Sequence, residues 1–324
     1  MLDVIIPVKN SESVLENCLK TLRVQTNPVN LIIVDAHSTD KTVEIAKKYG
    51  CLVVEEPPSN VKGSRRAVAC NEGVRHSKSE YVAFLDSDTE VLPNWSKDME
   101  ETMKSFDNGV CGLRTLLPSE SEINCPDMVA AITSGCEPDM SSRRALAINR
   151  VMKLASNHAR KYTTITEVKS VPGYNAVYRR SAIQEVGYFT EEVGGCEDWE
   201  INSRLRKAGY VLLGVPQSPV VHKERATYKA FSRQMVGYGW SWARLLRVKH
   251  IFLLSRAIPL LTLIFGIIGL LYFLSFFSLE SIVIGFAMGF TLLMLTLSEI
   301  PEEVPVFIIM QLSLAFGYFR GLFL

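Results

Sequence analysis

Asp86 and Asp88 stand two residues apart at the end of an apolar run, Tyr81-Val82-Ala83-Phe84-Leu85. Such a run reads as a buried parallel strand, and open α/β sheets bind ligands beyond the carboxyl ends of their strands. Two desolvated carboxylates repel each other and need a counter-charge. A divalent cation, held by oxygen ligands and bridging to phosphates, is the natural one. The alternative is a surface Asp-x-Asp turn that caps the following helix.

Three strand ends carry acids or polar turns, and right-handed β-α-β crossovers would bring them to one rim. They are Pro7-Val8-Lys9-Asn10, Asp35-Ala36-His37-Ser38-Thr39-Asp40 and Asp86-Ser87-Asp88. Asp35 is suited to accept hydrogen bonds from a base or ribose, whereas Asp40 is suited to cap a helix. Lys62 and Arg65 stand at the entry to the third helix, where cations and free N–H groups favour a phosphate. Neither the Gly-rich dinucleotide fingerprint nor the Walker pattern occurs in the sequence. The set describes a nucleotide site of another kind.

The positioning elements follow from periodicity. Leu2–Pro7, Leu31–Asp35, Leu52–Glu55 and Tyr81–Asp86 read as strands. Between them lie a helix opened by a Ser13-x-x-Glu16 capping box and running towards Val24, a helix at Asp40–Tyr49 stopped by Gly50, and a helix at Ser64–His76. The alternation predicts an α/β fold with a parallel sheet flanked by helices. Pro93 opens a helix to about Phe106, and Val110–Leu116 reads as a fifth strand. From Pro118 to Lys169 the pattern weakens, leaving helices around Asp127–Thr133 and Arg143–His158. Val171–Tyr178 reads as a strand, Glu197–Ala208 as a helix and Tyr210–Val215 as a strand.

The 324 residues carry a net charge of +1, so no global field points to nucleic acid and none is expected as a partner. Seven cysteines form no C-x-x-C pair and read as free thiols in a reducing compartment. Met1–Pro7 begins as a strand without a signal-peptide pattern, which leads to the expectation of a cytosolic soluble part. Eight Lys/Arg and one Glu lie between Lys223 and Arg256, interleaved with Tyr228, Phe231, Tyr238, Trp240 and Trp242. That mixture suits a helix at the headgroup level, the alternative being an amphipathic helix packed on the soluble domain. Beyond it, Ala257–Ser278, Ser281–Ser298 and Val304–Phe319 are uncharged over 22, 18 and 16 residues. The first two are long enough to span a bilayer and the third is borderline. Basic residues beside the first span agree with a cytosolic placement.

The ordered motifs resemble glycosyltransferase family 2, the nucleotide-sugar transferases of the GT-A fold. The matching pieces are Ile5–Asn10, Ile33–Thr42, Asn71-Glu72-Gly73, Phe84–Asp88, Pro172–Ala182, Glu185–Phe189, and Glu197-Asp198-Trp199-Glu200 with Arg204-Leu205 and Gly209-Tyr210. They cover roughly residues 2–222. The resemblance implies a GT-A catalytic domain over 1–222, with 1–117 binding the nucleotide sugar and 118–222 the acceptor. A basic-aromatic region at 223–256 and two or three transmembrane helices within 257–324 would follow.

The resemblance also implies roles. Pro7, Asn10, Asp35, Lys62, Arg65 and Asp86 would line the donor site for a UDP- or GDP-sugar. Asp35 would meet the base, Arg65 the base or phosphate side, and Asp86 the ribose or the metal. Asp88 would ligate Mg2+ or Mn2+, with His222 a candidate third ligand or a structural histidine. Asp198 would act as general base in an inverting displacement, and Glu197 is its rival, since adjacent helical residues point about 100° apart. Arg225 and Lys229 would hold an acceptor phosphate or meet lipid headgroups. His37 departs from the small or acidic residue commoner beside Asp35, and the Gln-x-x-Arg-Trp motif of processive members is absent.

The expected activity is therefore a membrane-anchored, metal-dependent transfer of a sugar to a lipid-linked acceptor at the cytosolic face of the cell membrane. The Glu197-Asp198 pair favours a glycan hydroxyl over a polyprenyl phosphate, because a hydroxyl needs a base and a phosphate does not. The rival from another class is a non-catalytic membrane protein that keeps the nucleotide-sugar fold for binding.

Overall fold

The computed structural model describes residues 1–58, 65–107, 129–137, 141–155, 162–223, 227–250, 254–274 and 303–323. Lys62, the strand expected at Val110–Leu116, Arg225 and the apolar run Ser281–Ser298 lie outside the described residues. Two compact units form, Met1–Asp139 with Met152–Glu224, and Met140–Val151 with Arg225–Leu324.

In the first unit the strands are β1 (Leu2–Val8), β2 (Val29–Asp35), β3 (Leu52–Glu55), β4 (Tyr81–Leu85), β5 (Thr89–Glu90), β6 (Val129–Glu137), β7 (Thr166–Glu167), β8 (Asn175–Arg179) and β9 (Val211–His222). The helices are α1 (Glu12–Arg23), α2 (Thr42–Lys48), α3 (Arg65–His76), α4 (Trp95–Asp107), α6 (Arg180–Glu185) and α7 (Glu197–Lys207), while α5 (Arg143–Ala155) begins in the second unit. Sheet order is β3-β2-β1-β4-β8-β6-β9-β5, with β7 beside β9. The expected parallel arrangement holds across β3, β2, β1 and β4. Beyond β4 the sheet is mixed, because β8 runs antiparallel to both β4 and β6, and β9 is parallel to β6.

Alternation divides the core into two layers. Leu2, Val4, Ile6 and Val8 of β1 pack with Leu15, Leu19 and Leu22 of α1 and Trp95, Met99 and Phe106 of α4. Ile5 faces the other way, towards Ala67, Cys70 and Val74 of α3 and Ile201 and Leu205 of α7. There α3 lies so close to β1 that a Cβ on Gly73 would overlap the Ile5 side chain.

Several elements differ from the sequence expectation. Residues around Asp127–Thr133, expected as a helix, contribute to β6, which begins at Val129 and is buried almost throughout. The expected strand Val171–Tyr178 is confined to Asn175–Arg179. Tyr210–Val215 continues through Pro216 and Pro219 to His222, because a bulge opposite Ser134 and Cys136 absorbs the prolines. Ser13 lies inside α1 and does not cap it; the helix begins at Glu12, whose N–H donates to Asp40 Oδ2 at 3.1 Å. Asp40 also accepts the N–H of Thr42 at 3.0 Å, so one carboxylate serves the starts of α1 and α2.

In the second unit, α8 (Tyr228–Lys249), α9 (Leu254–Leu274) and α10 (Glu303–Phe323) join the start of α5. Thr227 caps α8 by accepting the N–H of Ala230 at 3.1 Å. On α8 and α10 the backbones touch through glycines. A Cβ on Gly239 would overlap Leu314 O, and one on Gly317 would overlap Val236 O. Ser232 and Ser313 hydroxyls meet across the same seam at 2.8 Å. The opposite face of α10 exposes Phe307, Ile308, Leu312, Phe316 and Phe319. Among the described residues, Glu303–Leu322 is a candidate membrane span by length and composition.

Asp3 fastens the start of β1 to the turn before β4. Its carboxylate accepts from Ser77 Oγ (2.5 Å), Ser79 Oγ (2.7 Å), the N–H groups of Lys78 and Ser79 (2.9 and 3.0 Å) and Asn30 Nδ2 (2.8 Å). Burial opposes its ionisation, but these hydrogen bonds prevail and hold it below its ordinary value, at about 2. A depressed carboxylate contributes stability above its unfolded-state value and loses it as pH falls towards the folded one. Asp3→Ala should cost about 2–4 kcal/mol at neutral pH, by stranding several donors. In thermal melts of the detergent-solubilised chain, the gap from wild type should narrow at about pH 3.

Candidate active site

The strand ends converge as the topology requires. The carboxyl ends of β1, β2, β3, β4 and β9 reach one rim together with the amino end of the antiparallel β8. Two rim loops are zipped together: Asn10 N–H donates to Ser38 Oγ (2.8 Å), Thr39 N–H to Asn10 Oδ1 (2.9 Å) and Lys41 N–H to Glu12 Oε2 (3.0 Å). Asn10 and His37, at φ +48° and +57°, make the two sharp turns that this zipper needs. Pro7 lies within the β1–β2 ladder opposite Val34.

Asp35 ends β2 and is buried. Its Oδ2 accepts the Ser38 N–H at 3.0 Å, while Oδ1 has no hydrogen-bond partner among the described residues. A buried acceptor in that state is costly unless a ligand supplies a donor. Arg65 reaches across to Glu56 Oε1 at 2.9 Å, and Glu56 is 1% exposed. Burial pushes the Glu56 carboxyl up, with Arg65 opposing. His37 Nδ1 lies 2.8 Å from Glu55 Oε1.

Asp86 and Asp88 follow β4, and the next residue, Thr89, pairs in register with His222 at the end of β9. That pairing carries the imidazole to the carboxylates. His222 Nε2 is 3.3 Å from Asp88 Oδ1 and 3.6 Å from Asp86 Oδ2, and the three ligand atoms lie within 4.8 Å of one another. Tyr174 stacks on the His222 ring at 4.6 Å between centroids. Burial disfavours the imidazolium, but the two carboxylates prevail and raise His222 to about 10. Two carboxylates and one imidazole, with Nε2 buried and without a hydrogen-bond partner among the described residues, fit a Mg2+- or Mn2+-sized cation.

Glu197 and Asp198 open α7 and part company as helical geometry requires. Glu197 is buried against Arg66, with Nη1 3.3 Å from its Oε1. Burial, reinforced by Asp198 and opposed by Arg66, pushes the Glu197 carboxyl up to about 7. Asp198 is half-buried, and its Oδ2 accepts the Gly173 N–H at 3.2 Å. Asn202, one turn further along α7, donates to Val171 O at 2.9 Å and keeps the Pro172-Gly173-Tyr174 approach against the helix.

Arg66, Gly173, Tyr174 and Glu56 are site residues that no strand or helix pattern singles out. Arg66 had one visible sign. It is the second of two arginines opening α3, where a cation opposes the helix dipole and so calls for another reason.

The glycosyl transferase family 2 profile matches residues 3–187, more than half of the chain. The chain belongs to glycosyl transferase family 2. Glu197, Asp198 and His222 fall beyond the matched range. The chain is 34% identical over 103 residues to a 4,4'-diaponeurosporenoate glycosyltransferase of Staphylococcus aureus strain USA300. The aligned stretch is 32% of this chain and 27% of that relative, about a quarter of its length. A mannosyltransferase, PcManGT of Pyrobaculum calidifontis in complex with GDP-Man and Mn2+, superposes over 99% of this chain and 86% of its own. Its TM-score is 0.62 at 19% identity. TarS 1–349 of S. aureus in complex with UDP-GlcNAc superposes over 76% and 73%, with TM-score 0.51 and 17% identity. The shared architecture is the GT-A fold.

Titrating the purified protein with Mn2+ alone should give saturable binding, followed by calorimetry or by electron paramagnetic resonance. Asp88→Ala and His222→Ala should each weaken it by at least about tenfold. Affinity unchanged in both would remove these residues as ligands.

Proposed function

We propose that this family 2 glycosyltransferase transfers a hexose from a UDP- or GDP-sugar to a hydroxyl of a lipid-linked glycan, with inversion at the anomeric carbon. The observation that carries the reading is the convergence of Asp86, Asp88 and His222 on one point, at the rim that Asp35 and Asp198 also reach. Mg2+ or Mn2+ held by Asp88, Asp86 and His222 would stabilise the charge that develops on the departing diphosphate.

The chain's own groups do the rest. Asp35 offers its unpartnered Oδ1 to a base N–H, and Arg65 stands beside it with Pro7 and Asn10 shaping the loop. Lys62 belongs to the same donor-binding proposal. Asp198 takes the proton of the acceptor hydroxyl as its oxygen bonds to the anomeric carbon. The bond to the nucleoside diphosphate breaks on the opposite face, so the configuration inverts. Glu197 is already engaged by Arg66 and buried, which supports Asp198 as the base.

Residues 1–222 would form the catalytic domain on the cytosolic side, 223–256 the interfacial region and 257–324 two or three membrane helices. The candidate span at Glu303–Leu322 and the aromatic and basic residues of α8 support a membrane-held acceptor, presented at high effective concentration. A C-terminal reporter fusion reads the number of spans.

A second reading, transfer to an anionic acceptor such as a polyprenyl phosphate, is supported by the S. aureus relative, whose name specifies a carboxylate acceptor. An anion needs no base. Asp198→Asn distinguishes the two. With a hydroxyl acceptor, turnover should fall by about 10²–10⁴-fold with donor affinity retained. Near-normal turnover selects the anion. Released nucleoside diphosphate, measured across a donor panel with Mn2+ and Mg2+, provides the assay.

A further inference from the structure

We infer that Arg66 is the positioning residue that locks the metal-binding carboxylate Asp86 and the general base Asp198 into one geometry, acting through Gly173. The inference rests on the function proposed above and adds a residue to its machinery.

The guanidinium of Arg66 is committed on every side. Its Nη2 donates to Asp86 Oδ1 at 2.8 Å and to Gly173 O at 2.7 Å. Its Nε donates to the same Asp86 oxygen at 3.3 Å, and Nη1 reaches Glu197 Oε1 at 3.3 Å and Cys70 Sγ at 3.6 Å. Asp86 follows β4, Gly173 precedes β8 and Glu197 opens α7, so one side chain from α3 spans three separate segments of the rim. The link to the base runs through one peptide unit on each side of Gly173, whose carbonyl faces Arg66 and whose N–H holds Asp198 Oδ2 at 3.2 Å. A Cβ on Gly173 would come within 2.6 Å of Arg66 Nη1, so a methyl group there would push the guanidinium aside.

Other roles fit less well. An arginine that binds the donor diphosphate should aim free N–H groups outward, whereas each nitrogen of this guanidinium already has a protein acceptor. A purely structural cation would be served as well by lysine. A planar fork with five donors can hold two carboxylates and a carbonyl at fixed angles, and a compact ammonium cannot. Only the fork explains the set.

The test uses the full chain in detergent. Arg66→Lys keeps the cation and should still fold, read as a cooperative thermal melt. At saturating donor and metal its kcat should fall about 10²-fold, the scale of a 1 Å misplacement, with KM for the donor within about threefold. Independently of turnover, Mn2+ binding should weaken about tenfold, the usual loss when a partner of a ligating carboxylate is removed. Gly173→Ala should reproduce the kcat loss by displacing the guanidinium. Glu197→Gln added to Arg66→Lys should cost little more, because the two belong to one network. A kcat for Arg66→Lys within about threefold of wild type, with Mn2+ binding unchanged, overturns the inference. A loss confined to donor KM also overturns it and makes Arg66 a diphosphate contact. If the wild type transfers no sugar from any donor yet Arg66→Lys weakens Mn2+ binding, the proposed function fails while the positioning of Asp86 stands.

Discussion

Charge balance at the rim is the constraint on which the rest of the first unit depends. Asp86, Asp88, Glu197 and Asp198 stand close together, with Arg66 and His222 as their cationic partners. Burial alone would drive the Asp86 carboxyl up. Arg66 and His222 reverse that and hold it well below the usual carboxylate range. Four acids can be gathered this tightly only if the cations are equally fixed, and fixing them requires strand ends and helix starts that are far apart in sequence. Arg66 and Glu197 are 131 residues apart. The sheet is the device that shortens that separation to a few ångströms.

The mixed sheet follows from the same requirement. Four parallel strands deliver Asn10, Asp35, Glu56 and Asp86 to one rim by simple right-handed crossovers. A rim of that kind alone has Asp35, Glu56 and Asp86 but neither Asp198 nor His222. Inserting β8 antiparallel beside β4 turns the Gly173 approach towards the rim, and β9 then returns parallel to β6 to deliver His222. The short β5, immediately after Asp88, clips that last strand in place through Thr89 and His222.

The first half was legible because its strands are unbroken apolar runs that end in acids, and each helix between them has a buried stripe. The second half obeys weaker local rules. In β6, Ala130, Ala131, Ser134 and Gly135 have little strand preference, so the segment hides its conformation until β8 and β9 flank it. Pro216 and Pro219 read as the end of a strand because they cannot donate to a ladder, yet the strand resumes after them. The start of α1 was misplaced for a related reason. Ser13 and Glu16 have capping-box spacing, but the helix takes its first acceptor from Asp40 in a neighbouring loop, a partner that no local window contains. Of the site, Asp35, Asp86, Asp88 and His222 were visible as residue types at strand ends, and Glu197 and Asp198 as the start of a helix. Arg66 and Gly173 act through contacts between distant segments and leave no periodic trace.

The interruption in β9 has a consequence for how His222 is held. Between Val215 and Val220 the strand loops out while β6 advances only from Ser134 to Cys136, so several residues lie outside the pairing. Register is re-established afterwards by Val220 and Val221 against Cys136 and Glu137, and by His222 against Thr89. The bulge is itself pinned, since Ser218 O accepts from Ser134 Oγ at 2.8 Å and the Ser218 hydroxyl donates to Asp98 Oδ2. The address of His222 is therefore set by three separate ties, the contacts of Ser218 within the bulge, the pairing with Cys136 and Glu137 and the pairing with Thr89, rather than by one unbroken ladder.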